Sequence, residues 1–83
     1  MTFRIHVRVM PRRGLLDPQG QAVERALTAL KFADAGNVHV GKAIEFDLAA
    51  TDAESATRAA RAMCDKLLAN PVTEDYHIAV EPT

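Results

Sequence analysis

Tryptophan is absent from this chain, aromatic residues make up 5% of it, and cysteine occurs once. A single thiol closes no internal disulfide, so the fold has to hold by packing or by association. So few aromatics leave no platform on which nucleic-acid bases could stack. No apolar run approaches the roughly 20 residues that a membrane-spanning helix requires. The first ten residues also lack the charged-then-apolar order of a secretory leader. Neither sign of charge dominates: ten Lys and Arg face eleven Asp and Glu. The electrostatic footprint of a nucleic-acid binder is therefore missing. These absences point to a soluble cytoplasmic protein with neither a nucleic-acid nor a membrane partner.

The chain has 83 residues and shows no linker, repeat or low-complexity tract, so a single domain over residues 1–83 is expected. A chain this short hides only about 60% of the surface that its unfolded form exposes. At this size, oligomerisation is a common supplement to a small core.

Phe3, Ile5, Val7 and Val9 alternate with Arg4, His6 and Arg8, the period-two pattern of a strand with one buried face. Asp17-Pro18 then opens a helix, the carboxylate capping free N–H groups and proline standing where no N–H is needed. Val23, Ala26, Leu27 and Leu30 form a stripe expected to rest on the sheet, with the helix ending near Ala33 and Gly36 as a left-handed stop. Val38, Val40, Ile44, Phe46 and Leu48 share parity, as one long strand, or two joined at Gly41-Lys42, would require. Thr51 and Glu54 read as a capping box for a second helix whose stripe is Ala56, Ala60, Met63 and Leu67. Asn70-Pro71 stops it, and Tyr76, Ile78 and Val80 supply a last strand. This order predicts an α+β two-layer sandwich close to a ferredoxin-like arrangement, with two helices on one face of a mainly antiparallel sheet. The open edge left by so few strands is expected to be covered by dimerisation.

Little in the chain resembles catalytic machinery. His6, His39 and His77 stand apart, without the spacing of metal ligands, and are read as solvated strand residues. Cys64 lies among alanine and leucine positions, where a thiol behaves as a small buried hydrophobe. Arg4, Arg8, Arg12 and Arg13 form one local basic cluster, read first as a solvated face. Asp17-Pro18-Gln19-Gly20 lacks the lysine and glycine spacing of a phosphate loop. At Gly41-Lys42 a bulge would turn Lys42 away from the buried set whose parity it shares, and an exposed turn lysine explains the pair equally well. The expected catalytic and metal-binding sets are both empty.

Three blocks carry a resemblance: Leu16-Asp17-Pro18-Gln19-Gly20; Val40-Gly41-Lys42 leading into Ile44-Glu45; and Met63 to Val72 followed by Glu74-Asp75-Tyr76. In order and spacing, from Phe3 to Val80, the chain resembles the PurS family. That resemblance implies a non-catalytic subunit of the ATP- and glutamine-dependent synthase that converts formylglycinamide ribonucleotide to its amidine in purine biosynthesis. A large synthetase subunit would use ATP and magnesium, a glutaminase subunit would release ammonia, and a PurS dimer, or a tetramer, would hold the two together and assist ammonia transfer. The chain itself would bind no cofactor. Positions that carry the family pattern without an obvious core duty are Arg12, Arg13, Asp17, Gln19, Gly20, Gly41, Lys42, Asn70, Glu74 and Tyr76. Two departures are Arg12 behind Pro11, and His39 where the family pattern has an arginine. Readings from other classes are a stand-alone small-ligand-binding regulatory module of ferredoxin-like fold and a nucleic-acid module built on the arginine cluster.

Overall fold

The alternating run at the N-terminus forms β1, Thr2–Pro11, the central strand of a three-stranded sheet in the order β2-β1-β3. The computed structural model describes all 83 residues. β2, Lys42–Ala49, and β3, Glu74–Pro82, both pair antiparallel with β1. Two helices complete the chain, α1 over Pro18–Ala29 and α2 over Ala53–Met63, and α2 runs on into a π-helical turn, Cys64–Leu68. The architecture is the α+β arrangement read from the sequence.

The core lies between α2 and the sheet. Phe3, Ile5, Val7 and Val9 are buried from below, and Ala56, Ala60 and Cys64 close over them. Small side chains on the helix allow it to approach the strands closely, and the larger Ile44, Phe46, Leu48, Tyr76, Ile78 and Val80 pack around the rim. Burial, with Asp65 adding a negative neighbour, pushes the Cys64 thiol up from its ordinary pKa, in keeping with an inert packing role.

The stripe on α2 differs from the one expected. Ala56 and Ala60 face the sheet, but Cys64 takes the next place in the row, while Met63 and Leu67 point to water, Leu67 with 81% of its surface exposed. The row at four-residue spacing supplies the narrow contact, and the π turn then swings Leu67 outward before Ala69 returns to the core. The N-cap is also one residue later than expected: the Asp52 carboxylate, not Thr51, accepts the Ser55 N–H at 2.8 Å.

α1 departs further. Val23, Ala26 and Leu30 are exposed and Leu27 only half-buried, so the stripe expected on the sheet does not reach it. β1 and β2 are joined as a hairpin, Val9 opposite Lys42, and residues 12–41 form an excursion beyond its end. α1 ends in a Schellman motif: the Phe32 N–H reaches the Leu27 carbonyl and the Lys31 N–H that of Thr28, with Lys31 in the left-handed region at φ 77°. Asn37 takes the second left-handed position, so Gly36 is not the stop. Val38 to Val40 join no strand, which limits the strand of this region to β2.

This excursion makes the molecule long, 50 × 27 × 14 Å, with a radius of gyration of 16.1 Å. A compact chain of this length would have about 12 Å.

Candidate functional site

The residues singled out in the sequence gather in two places. The first lies where β1 runs out against the segment leading into β3. The Arg12 guanidinium donates to the Pro71 carbonyl at 2.8 Å, to that of Glu74 at 3.3 Å and to the Asp75 carboxylate at 3.3 Å. Around it the chain turns tightly: Asn70 Oδ1 accepts the Val72 N–H at 2.9 Å, and the Glu74 carboxylate accepts the Asn70 N–H at 2.7 Å. An Asn before proline cannot continue a helix, and its side chain supplies the turn instead. Nearby, the Tyr76 hydroxyl donates to Asp65 at 2.9 Å. Removal from water, reinforced by that carboxylate, pushes the hydroxyl up from its ordinary pKa. Arg12, Asp65, Glu74, Asp75 and Tyr76 line an open cavity of about 410 Å³. Its polar groups are already engaged with one another, so it is a braced corner of the fold.

The second place is the start of α1. Asp17 is 8% exposed, and its carboxylate accepts the Gly20 N–H at 3.0 Å, as an N-cap should. Its other oxygen accepts the Val40 N–H at 3.0 Å and meets His39 Nδ1 at 3.2 Å. One helical face further along, Glu24 accepts the Val38 N–H at 2.9 Å. Two carboxylates seven residues apart thus take the amides that a neighbouring strand would otherwise have satisfied, which is why Val38 and Val40 need no sheet. The Gly20 N–H, then the Val40 N–H and His39, hold the Asp17 carboxyl below its usual range despite its burial.

Both glycines of the pattern are explained by close approach. A Cβ on Gly20 would fall 2.3 Å from the Val38 carbonyl oxygen and from the Asp17 carboxylate. At Gly41 it would fall 2.2 Å from the Val9 carbonyl oxygen. Gly41 therefore seats the chain against β1 rather than forming a bulge. Lys42 follows it as the first residue of β2, on the buried face by parity but exposed at the end of the sheet.

Arg12, Asn70, Glu74 and Tyr76 come together in the first place, and Asp17 and Gly20 in the second, while Gly41 sits against Val9 and Met10 of β1. Arg13, Gln19 and Lys42 belong to neither network: all are exposed, and their side chains have no hydrogen-bond or ion-pair partner in the chain. Sequence reasoning missed Asp65, His39 and Glu24 as parts of these networks. For Glu24 the signal was present, since a seven-residue spacing from Asp17 puts both on one side of α1. His39 was expected on a strand and instead clasps Asp17 and Asn37.

No group of three or more His, Cys, Asp or Glu is placed to hold a metal ion, and no helix is long and apolar enough to cross a membrane.

Comparison with known proteins gives the family. Residues 4–82 match the family model PurS, phosphoribosylformylglycinamidine (FGAM) synthase. The phosphoribosylformylglycinamidine synthase subunit PurS of Bacillus subtilis is 37% identical over 79 residues, covering 95% of this chain and 93% of the relative. The crystal structure of Methanocaldococcus jannaschii PurS, one of the subunits of formylglycinamide ribonucleotide amidotransferase in the purine biosynthetic pathway, superposes with a TM-score of 0.86 at 34% identity, covering 98% of each chain. A chain in the structure of PurLQS from Thermotoga maritima superposes at 0.88 with 30% identity, covering 96% of this chain and 98% of that one. With both networks falling inside this full-length match, the chain belongs to the PurS family of FGAM synthase subunits.

Proposed function

We propose that this chain is a non-catalytic subunit of an ATP- and glutamine-dependent FGAM synthase in purine biosynthesis, working as a homodimer, or a dimer of dimers, that joins a large synthetase subunit to a glutaminase subunit. The observation that carries the reading is the end-to-end superposition on a chain of a PurLQS structure. ATP and magnesium would be used by the large subunit, and this chain would bind neither. By holding the two larger proteins together in the cytoplasm it would assist the passage of ammonia between them.

Surface area supports association. A folded monomer of this mass is expected to expose about 4,900 Å², and this chain exposes 6026 Å². The excess is of the order of the ~800 Å² that each partner contributes to a standard interface. Large apolar side chains stand exposed on the excursion, where Leu16, Leu30 and Phe32 are 75%, 65% and 60% exposed. β2 and β3 are both open edges of the sheet.

The test is to mix the purified chain with the large synthetase and the glutaminase of the same organism and measure the mass of the product. One complex containing all three proteins is the expected outcome. A ligand-binding module would instead show a rise in melting temperature with a small molecule and no complex.

A further inference from the structure

Arg4, His6 and Arg8 of β1 lie on the face of the sheet that no helix covers, and the first two are paired with carboxylates there. Arg4 pairs with Asp47 at 2.8 Å and with Glu45 at 3.7 Å, and His6 stands between Glu45 and Glu81. Arg12 is folded into its turn, where it also holds Asp75. Arg8 differs from both. It is exposed on the central strand, and its side chain has neither a carboxylate nor any hydrogen-bond partner in the chain.

The ladder explains why. Opposite Arg8 stand Ala43 on β2 and His77 on β3, and Ala79 stands opposite His6. An arginine facing a histidine across a strand pair is an unfavourable neighbour whenever the imidazole carries charge. The two alanines leave a shallow recess of about 380 Å³ whose lining includes His6, Arg8, Ala43, Glu45, His77 and Ala79. Its one acid, Glu45, is already taken by Arg4 and His6. An unpaired guanidinium beside an imidazole, with the small Ala43 opposite it and Ala79 on the diagonal, is complementary to a carboxylate from outside the chain.

We propose that this recess on the open sheet face receives an aspartate or glutamate side chain of a heterologous partner subunit, with Arg8 making the charge-assisted contact and His77 beside it. The inference rests on the assembly reading given above and names the chemistry of one contact in it. Guanidinium geometry favours a carboxylate, which it meets with two parallel hydrogen bonds. A second copy of this chain laid face to face would offer Glu45, Asp47 and Glu81, and each of these is already paired with Arg4 or His6 of its own chain.

Arg8→Glu tests it, with Arg61→Glu as a control at another exposed arginine. Because Arg8 has no polar partner within the chain, the variant is expected to melt and self-associate as the wild type does. Its affinity for the synthetase–glutaminase pair, measured by titration calorimetry in low salt, should fall at least tenfold, and added salt should narrow the gap. Arg8→Lys should fall between the two. Unchanged affinity of Arg8→Glu, or an effect confined to self-association, would overturn the proposal. A second measurement is independent of the assembly: nuclear magnetic resonance of the full chain titrated with a pentaglutamate peptide in low salt. Saturable shifts centred on Arg8, Ala43 and His77, and lost in Arg8→Glu, are expected; no shifts, or shifts spread over all the arginines, would sink it even if the wild-type chain joins its partners.

Discussion

At Gly20 the backbone of α1 and the carbonyl of Val38 meet with no room for a methyl group, since a Cβ there would sit 2.3 Å from two oxygens. Both oxygens are held in place, one by the cap and the other by the extended segment. Gly20→Ala is therefore expected to cost about 1–3 kcal/mol in denaturant unfolding, the usual range for forced overpacking. Gly36 is the control, because nothing lies within 4 Å of its Cβ position and its φ is not left-handed. Gly36→Ala should change stability by no more than about 0.5 kcal/mol. Asp17 permits a pH test whose sign is fixed by its folded-state pKa, which is lowered from 3.8. Its contribution is fully present above the unfolded value and is lost as pH falls through the lower folded value. Asp17→Asn should thus be less stable than the wild type at neutral pH, with faster amide exchange at Val40. The gap should close as pH falls below 3.8. At this scale the sequence shows local duties and hides long-range ones. Asp17-Pro18 read correctly as a cap, but nothing local revealed that the same carboxylate holds Val40, a partner 23 residues away.

Elements were legible where one face is buried and one is wet. β1 and β3 follow their alternation almost residue for residue, because each lies against a core that rewards that period. Between residues 38 and 40 parity misled. An apolar alternation marks a strand only if a neighbouring strand takes its amides, and here the Asp17 and Glu24 carboxylates take two of them. The helical stripes failed for a different reason. An alanine-rich helix carries several rows of apolar residues, and only packing decides that Cys64 goes in while Met63 and Leu67 stay out. The exposed apolar residues of α1 follow the period of a buried face, so their cover must come from another chain if the excursion has one. Leu30→Ser should leave the melting temperature of the dilute chain nearly unchanged, since the residue is 65% exposed. In the same variant, self-association measured by sedimentation equilibrium should weaken.

For the whole molecule, length and surface carry the argument. A 9.0 kDa chain stretched over 50 Å, with a helix standing beyond the sheet and two unpaired sheet edges, has the shape of a component. Its two side-chain networks brace turns and hold no metal-ligand cluster. Light scattering at micromolar concentration should give a multiple of the monomer mass, and a monomer would remove the dimeric reading. The family could be recognised from the sequence because its motifs sit at turns and close approaches, at Asp17, Gly20, Gly41 and Asn70, where backbone geometry admits few residue types. Which faces meet which subunit could not be read, because exposed positions such as Arg8 leave no local pattern. The most direct measurement is glutamine-dependent formation of the amidine by the synthetase and glutaminase subunits, with and without this chain. Synthesis that falls sharply when the chain is left out and returns when it is added back is the result expected; undiminished synthesis in its absence would contradict the account.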